Sequence, residues 1–548
     1  MQELIFQFNS SGGLTPGWTG HPGYENPQPH LNVFGNDSMY TEGVVNPFRQ
    51  PGFLSPATSA VTAITTAEAG TAFVDVVNII QVDTINTTIY VGEASGTMFR
   101  IQRLDSFTDT TLNAINQVNG LSGALASDFE IYSLNGVTSL FYAYNKGSAG
   151  EMGIYNNFSS FDDDYLSSSA TGGFVLGANR HRLIVADNGF MYILDGSEIH
   201  RFDGTTEGGG SGTIKGRVVV FPNPFRLVDG VDSRGFLWVA LVSDTRDFRG
   251  VGDSSVTGQV TCGVYIWDRQ STRVAQTDFI PVPGVKEIHK IFFFDGKPWL
   301  ITSSTNRLTE IREYNGSEFV VKFELPRGAR PRFVDSVQVR SNKVYWIGRD
   351  DGIVWCLGRI FPDAPIGIHK IGDMTPFTRG DTWGSGGALA IAGGRPSVAS
   401  GDYLEPETVI VNFSTQTNSK NLINRWYPDS RTITGETLTV HPGRWRSIVK
   451  PIPKLSTING LSVFFPPNTS VDSESLYIQL YYNRSNNVTT TAVLNEVDAA
   501  RGWYWTSLTQ ENVNYVQLGV VFNGDQPVTK HIFPEYAKVH YTKTDKIK

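Results

Sequence analysis

The chain has 548 residues, a formal net charge of -8, 18% charged and 12% aromatic residues, 56 glycines and two cysteines. The charge excludes a general nucleic-acid binder, because phosphate neutralisation needs a clustered Lys/Arg surface, and Cys262 and Cys356, standing far apart, exclude a disulfide framework or a Cys-x-x-Cys metal site. Low charge, frequent glycine and dense rings describe turn-rich β structure, and the length predicts several units unless a repeat extends one of them.

Residues 1–58 are rich in Gly, Pro and Asn (GWTGHPGYENPQPHLNVFGNDSMY, then NPFRQPGFLSPA). Proline fixes φ and withholds an amide donor, so neither a helix nor a central strand is expected. Trp18, Tyr24, Phe34, Tyr40, Phe48 and Phe53 distinguish the segment from a disordered tail, whose composition lacks rings. It reads as an extended arm pinned across a domain face or against a neighbouring subunit. The start, MQELIFQFNSSGGLTPGW, has no basic region followed by an apolar one, so cytoplasmic synthesis without a secretory signal is expected. No stretch reaches the roughly eighteen apolar residues of a membrane helix, so no membrane insertion is expected.

From residue 59 to 415 a single grammar repeats: an apolar run, a small or polar turn containing Gly, and a second apolar run. LIVADNGFMYILDGSEIHRFDG (183–204) is the clearest copy, and YVGEASGTMFRI (90–101) and YWIGRDDGIVWCL (345–357) are others. Asn-Gly and Asp-Gly between apolar runs signal antiparallel hairpins, since these residues accept the positive φ of tight turns. Hairpin centres near Gly96, Gly136, Gly189, Asp244, Ser304, Gly352 and Gly393 recur at intervals of roughly 40 to 60 residues, the period of propeller blades. About seven blades are expected, with two packed sandwiches as the competing arrangement. The strand 59–65 is expected to complete the last blade with 407–413. Thr110 to Val118 is the one short helix candidate, and the tracts 159–170, 204–212 and 244–257 read as loops.

The polar stretch 416–422 reads as a linker. Residues 423–548 then give strands at 445–449, 460–465, 476–482, 502–507, 515–522 and 537–541, the pattern of a jelly-roll-like β-sandwich. The fold class is therefore all-β: an extended arm, a propeller and a C-terminal sandwich.

Few residues declare chemistry. Asp162, Asp163 and Asp164 cluster carboxylates as a hard cation would want, but their spacing departs from an alternating calcium loop, and a solvated loop explains them better. Asp187, Asp350, Asp351, Asp373 and Glu405 are the carboxylates a propeller glycosidase could use, yet Asp beside Gly or Asn is already explained by local turn bonding. The histidines form no metal-binding pair, no nucleophile elbow exists, and no cofactor is expected. The C-terminal rings are the better binding candidates: Trp503, Tyr504, Trp505, Tyr481 and Tyr482 are dense enough for a sugar-stacking platform. Alternation places Trp503 and Trp505 on one face and Tyr504 on the other. Core packing of the two tryptophans is the first expectation, exposure to a ligand the second.

The order of arm, propeller and sandwich resembles structural proteins of tailed-phage virions, in which propellers and jelly-rolls serve as adhesion or vertex-associated modules. Its nearest textual points are the arm NPFRQPGFLSP (46–56) and the run of C-terminal strands. The resemblance implies a non-enzymatic tail, neck or vertex-associated component. Its partners would be other virion proteins, copies of itself and a host surface glycan or receptor. A polysaccharide-degrading propeller with a carbohydrate-binding sandwich is the alternative, and a surface lectin stands third.

Overall fold

The computed structural model describes residues 1–7, 15–16, 40–43, 61–64, 66–67, 77–83, 88–95, 97–104, 111–121, 125–134, 136–146, 149–166, 176–177, 180–202, 214–222, 225–243, 261–306, 308–331, 337–340, 342–348, 353–359, 362, 366–373, 391–394, 408–414, 421–426, 443–446, 450–465, 476–482, 502–522 and 536–543. Among these the protein is all-β, with strands interrupted only by turns and two short 3-10 turns.

Seven sheets of four or five strands follow one another along the chain. Their innermost strands are Val77–Asp83, Leu125–Leu134, Arg182–Val185, Phe225–Ser233, Val285–Phe294, Val337–Arg340 and Ile391–Gly394. Each inner strand lies against the next, and Ile391–Gly394 returns to Val77–Asp83. The array is thus a closed seven-bladed β-propeller, with one expected hairpin centre in each blade's stretch of chain, although Gly393 lies within the strand Ile391–Gly394, paired with Val409, and Asp244 and Gly352 lie outside the described residues. Closure removes the free edges that an open array would expose. The last blade takes its outer strand, Val61–Ile64, from the N-terminal side, and it pairs antiparallel with Asn421–Trp426.

Middle strands are buried on both faces because each blade is pressed between two neighbours. Met191–Asp195 is buried throughout, and Lys297–Ser304 everywhere except its first residue. Side chains of adjacent blades share one core at a time. Tyr90, Phe99 and Ile101 of the first blade meet Phe129, Tyr142 and Tyr144 of the second. Trp299 and Ile301 of the fifth meet Trp346, Trp355 and Leu357 of the sixth. Cys262 and Cys356 are both buried in this interior and form no disulfide. At the tip of the fifth blade Asp295 and Gly296 both take positive φ, the requirement of a tight primed hairpin turn.

Inner strands are also laced by carboxylates. Asp128 accepts the Leu183 amide of the next blade at 2.7 Å and the Arg182 guanidinium at 2.7 Å. Arg182 continues to Asp229 at 3.0 Å, and Asp229 accepts the Ile291 amide of the fifth blade at 3.0 Å, with Lys290 at 3.3 Å. Each buried carboxylate thus staples its blade to the following one.

The C-terminal unit is one curled eight-stranded sheet, so among the described residues a single hydrogen-bonded sheet stands where the sequence predicts the two packed sheets of a jelly-roll-like sandwich. Its axis is the strand Gly502–Phe522, which spans the two strands read separately at 502–507 and 515–522. Gly443–Arg446 and Lys450–Phe465 pair with it, as does Leu476–Tyr482, and Tyr536–Lys543 pairs with Lys450–Phe465.

Four sequence expectations are corrected. Thr111–Asn119 is the fourth strand of the first blade, not a helix, because pairing with Met98–Leu104 overrides its local pattern. Ser160–Leu166, expected as loop, is the outer strand of the second blade. Asn421–Trp426 belongs to the last blade, so the propeller runs past the 416–422 linker and past the expected start of the next unit at 423. The arm is not separate from the C-terminal unit: Gln2–Gln7 pairs with Tyr536–Lys543, and Thr15–Pro16 with Tyr40–Gly43, which pairs with Gly443–Arg446. Trp18, Tyr24, Phe34, Phe48 and Phe53 lie outside the described residues, as do the loops 204–212 and 244–257; Tyr40 is described by its backbone only.

Candidate functional site

Register fixes which side chains share a face of the curled sheet. Trp503 stands opposite Phe464, and Trp505 opposite Ser462. Ser462 is in turn opposite Lys538, and Gly460 opposite His540. Ile5 stands opposite Lys538 and Glu3 opposite His540. The reverse face carries Phe6, Leu461, Val463, Ala537 and Val539, all buried. Strand alternation therefore sends the apolar set inward and leaves the tryptophan set outside.

Trp503 is 47% exposed and Trp505 52%, so the pair stands on the solvent face of the sheet and not in its core. Trp503 packs on Phe464 with ring centroids 5.4 Å apart, and Lys538 Nζ lies 5.0 Å from its ring. The Trp505 indole reaches over Gly460, where a Cβ would overlap its six-membered ring, and meets the His540 imidazole at 4.6 Å. Since His540 is two strands away, this indole lies across the intervening strand. One ring face rests on the sheet and the other faces solvent, which accounts for half exposure.

The polar groups beneath are mutually satisfied. Ser462 Oγ and His540 Nε2 share a hydrogen bond. His540 Nδ1 is 3.7 Å from Glu3 Oε1, and Glu3 Oε2 is 2.9 Å from Lys538 Nζ. The bond from Lys538 holds the Glu3 carboxyl below its ordinary value. Burial holds the imidazole of His540 below its own, Lys538 adding to the effect and Glu3 opposing it. The order serine, histidine, carboxylate is that of a nucleophile relay. Among the described residues its surroundings do not complete one, because Ser462 and His540 are buried and Ser462 is paired with Trp505 on one side and Lys538 on the other. The relay instead fixes the floor on which Trp505 rests.

The other candidates do not join this face. Tyr481 and Tyr482 lie at the far end of the long strand, Tyr482 opposite Val516, and the Tyr504 side chain is not among the described ones. Asp162, Asp163 and Asp164 occupy successive strand positions, so their side chains alternate and cannot converge on one cation. Asp163 instead accepts from Tyr142 and from Asn116, each at 2.5 Å, and burial, with this contact adding to it, pushes the Tyr142 hydroxyl far above its ordinary value. Among the described residues no three His, Cys, Asp or Glu side chains gather as metal ligands.

Asp187 lies on the propeller rim, bound by Arg269, which also reaches Asp232 at 3.0 Å. Arg269 holds the Asp187 carboxyl low, while burial raises that of Asp232. The Arg269 guanidinium bridges the two carboxylates, and the cluster ties the third blade to the fourth. Asp350, Asp351 and Glu405 lie outside the described residues, and Asp373 ends the strand Gly367–Asp373.

Sequence reading missed Glu3, Gly460, Phe464, Lys538 and His540. Only register brings them together, since Glu3 is more than five hundred residues from its partners. It also missed Asp128 and Asp229, which sit within the inner strands Leu125–Leu134 and Phe225–Ser233, where neighbouring polar residues such as Glu130 and Asp232 hide them in the sequence.

No protein-family model matches the chain, and no curated protein matches it. Among solved structures, a chain of a mitotic checkpoint complex aligns with 69% of this chain and 97% of its own length, at 11% identity and a TM-score of 0.39. The β-propeller domain of Cps50 (Swd1) from Myceliophteria thermophila aligns with 68% of this chain and 99% of itself, at 9% identity and a TM-score of 0.37. An exo-β-1,3-galactanase from Phanerochaete chrysosporium aligns with 88% of this chain and 100% of itself, at 11% identity and a TM-score of 0.28.

Proposed function

We propose that this chain is a non-enzymatic structural component of a bacteriophage virion, a tail, neck or vertex-associated protein that presents a rigid propeller and a ring-bearing sheet for attachment. The warrant for the virion setting is the order of arm, propeller and curled sheet, an analogy of architecture. The non-enzymatic part rests on one observation: the candidate carboxylate Asp187, like the buried Asp128 and Asp229, faces an arginine that links elements of the fold. A carboxylate held this way is committed to its ion pair and is a poor general acid or base. The ring-rich remainder of the arm, beyond the strands already built into the sheet, is the assembly segment in this reading, with other virion proteins and further copies of the chain as partners.

Two measurements test the proposal. Mass spectrometry of particles purified from an infected host is expected to find the chain at stoichiometric abundance, and its absence from particles would remove the virion setting. Incubating the purified protein with a polysaccharide panel is expected to release no reducing sugar. Release that vanished in Asp187→Asn would promote the glycoside hydrolase instead.

A further inference from the structure

We propose that the outer face bearing Trp503 and Trp505 is a binding site for a neutral pyranose chain. The inference deepens the attachment reading above by naming the class of ligand. Residues two apart on a strand are separated by about 7 Å, so the two indoles form successive stacking positions along one direction. Each rests on the sheet and is about half exposed, 47% and 52%, which leaves ring surface available to the apolar face of a sugar.

The surroundings select within that class. Lys538 lies beside Trp503 but is neutralised by Glu3 at 2.9 Å, so the pair offers no net cation to a sugar acid or phosphate. The carboxylate and ammonium remain able to exchange hydrogen bonds with hydroxyls. Asn459 and Thr542, joined at 2.6 Å and exposed, extend the polar margin on the adjoining strands. A protein partner is less well served, since Ile5 and, at the start of the same strand, Met1 are the further large exposed apolar side chains that alternation places on this face among the described residues. A core of four such side chains is small beside the roughly 800 Å² per partner of a standard interface.

Gly460 and His540 are positioning residues. Gly460 leaves the space that the Trp505 ring covers, and His540 supports the ring edge while anchored by Ser462.

The test is titration of the purified full-length chain with cellohexaose, maltohexaose and mannohexaose, with a galacturonic acid hexamer as the acidic comparison. Calorimetry and quenching of tryptophan emission are the readouts. At least one neutral hexasaccharide is expected to bind and the acidic one to bind more weakly. Trp503→Ala and Trp505→Ala should each weaken binding by about tenfold, with partial retention in the phenylalanine variants. Phe236→Ala, at an exposed ring on the propeller, should leave affinity unchanged. Gly460→Ala should weaken binding by displacing Trp505, with the circular dichroism spectrum preserved. Failure of every neutral sugar, full affinity in the double alanine variant, or preference for the acidic hexamer would overturn the proposal. So would a wild-type dimer that either alanine variant dissociates without sugar, which would make the face a contact between copies. Particle content does not enter this assay, so the virion setting and the saccharide site can fail separately.

Discussion

His369 illustrates what burial does to one residue. It lies in the strand Gly367–Asp373 opposite Cys356, almost wholly enclosed. Burial pushes its imidazole down to about 3, the nearby Lys343 adding to this and a backbone hydrogen bond at Gly358 opposing it. The native state therefore holds a neutral ring over a range in which the unfolded chain takes a proton. Above about pH 6.5 both states are neutral and the group does not affect stability. Below that, down to about pH 3, the unfolded state binds the extra proton, and stability falls progressively, on the order of 1 kcal/mol for each pH unit. Urea unfolding of the wild type and His369→Phe at pH 7.5, 5.5 and 4.5 checks the sign. The wild type should lose ground to the variant progressively as pH falls, and a difference independent of pH would refute the linkage. Asp128 and Asp229 carry the opposite lesson. They are buried charges that accept both backbone and guanidinium donors, the arrangement in which removing a partner costs most, about 3–5 kcal/mol.

Among the elements, the strand Val61–Ile64 has a disproportionate role. It lies more than three hundred residues from Asn421–Trp426, the strand it covers, and it joins the two ends of the ring within one blade. Without it, the edge of Asn421–Trp426 would present unpaired amides to water or to another chain. Prolines at Thr62 and Ala63 remove two amide donors from the closing strand and disfavour its pairing. Hydrogen exchange should then quicken at residues 421–426, while amides of the fifth blade, around Leu300, keep their protection. Unchanged exchange at 421–426 would show that closure does not depend on this strand. The propeller was legible because each blade repeats a local signal, hairpin turns such as Asp187-Asn188-Gly189 between apolar runs. The long strand Gly502–Phe522 was legible only in halves, since polar residues such as Gln510, Glu511 and Asn512 interrupt its apolar pattern while its backbone continues. Trp503 and Trp505 were legible as a pair on one face, but their exposure was not, because which face a sheet turns to solvent depends on what covers the other.

At the scale of the molecule, the first residues of the chain belong to its last sheet. Gln2–Gln7 forms six successive pairs with Tyr536–Lys543, from Gln2 with Tyr541 to Gln7 with Tyr536. Phe6 is completely buried, and Lys450 both lies 4.8 Å from its ring and donates to the Ile5 carbonyl at 2.9 Å. Glu3 supplies the charge that neutralises Lys538 beside Trp503. The C-terminal sheet is thus incomplete without a segment that precedes the whole propeller, and cutting at the 416–422 boundary severs it. A fragment of residues 427–548 should consequently unfold at lower denaturant than the same sheet in the full chain, because burying a phenylalanine contributes about 1.5–3 kcal/mol and the six-residue ladder is also lost. Adding a peptide of residues 1–9 in trans should raise the fragment's midpoint with increasing peptide concentration, as any ligand of the folded state does. The same peptide with Phe6→Ala should have a much smaller effect, since truncating a buried phenylalanine costs about 3–5 kcal/mol. A fragment whose transition matches the full-length sheet without peptide, or that ignores the peptide, would mean that the first strand decorates the sheet without completing it.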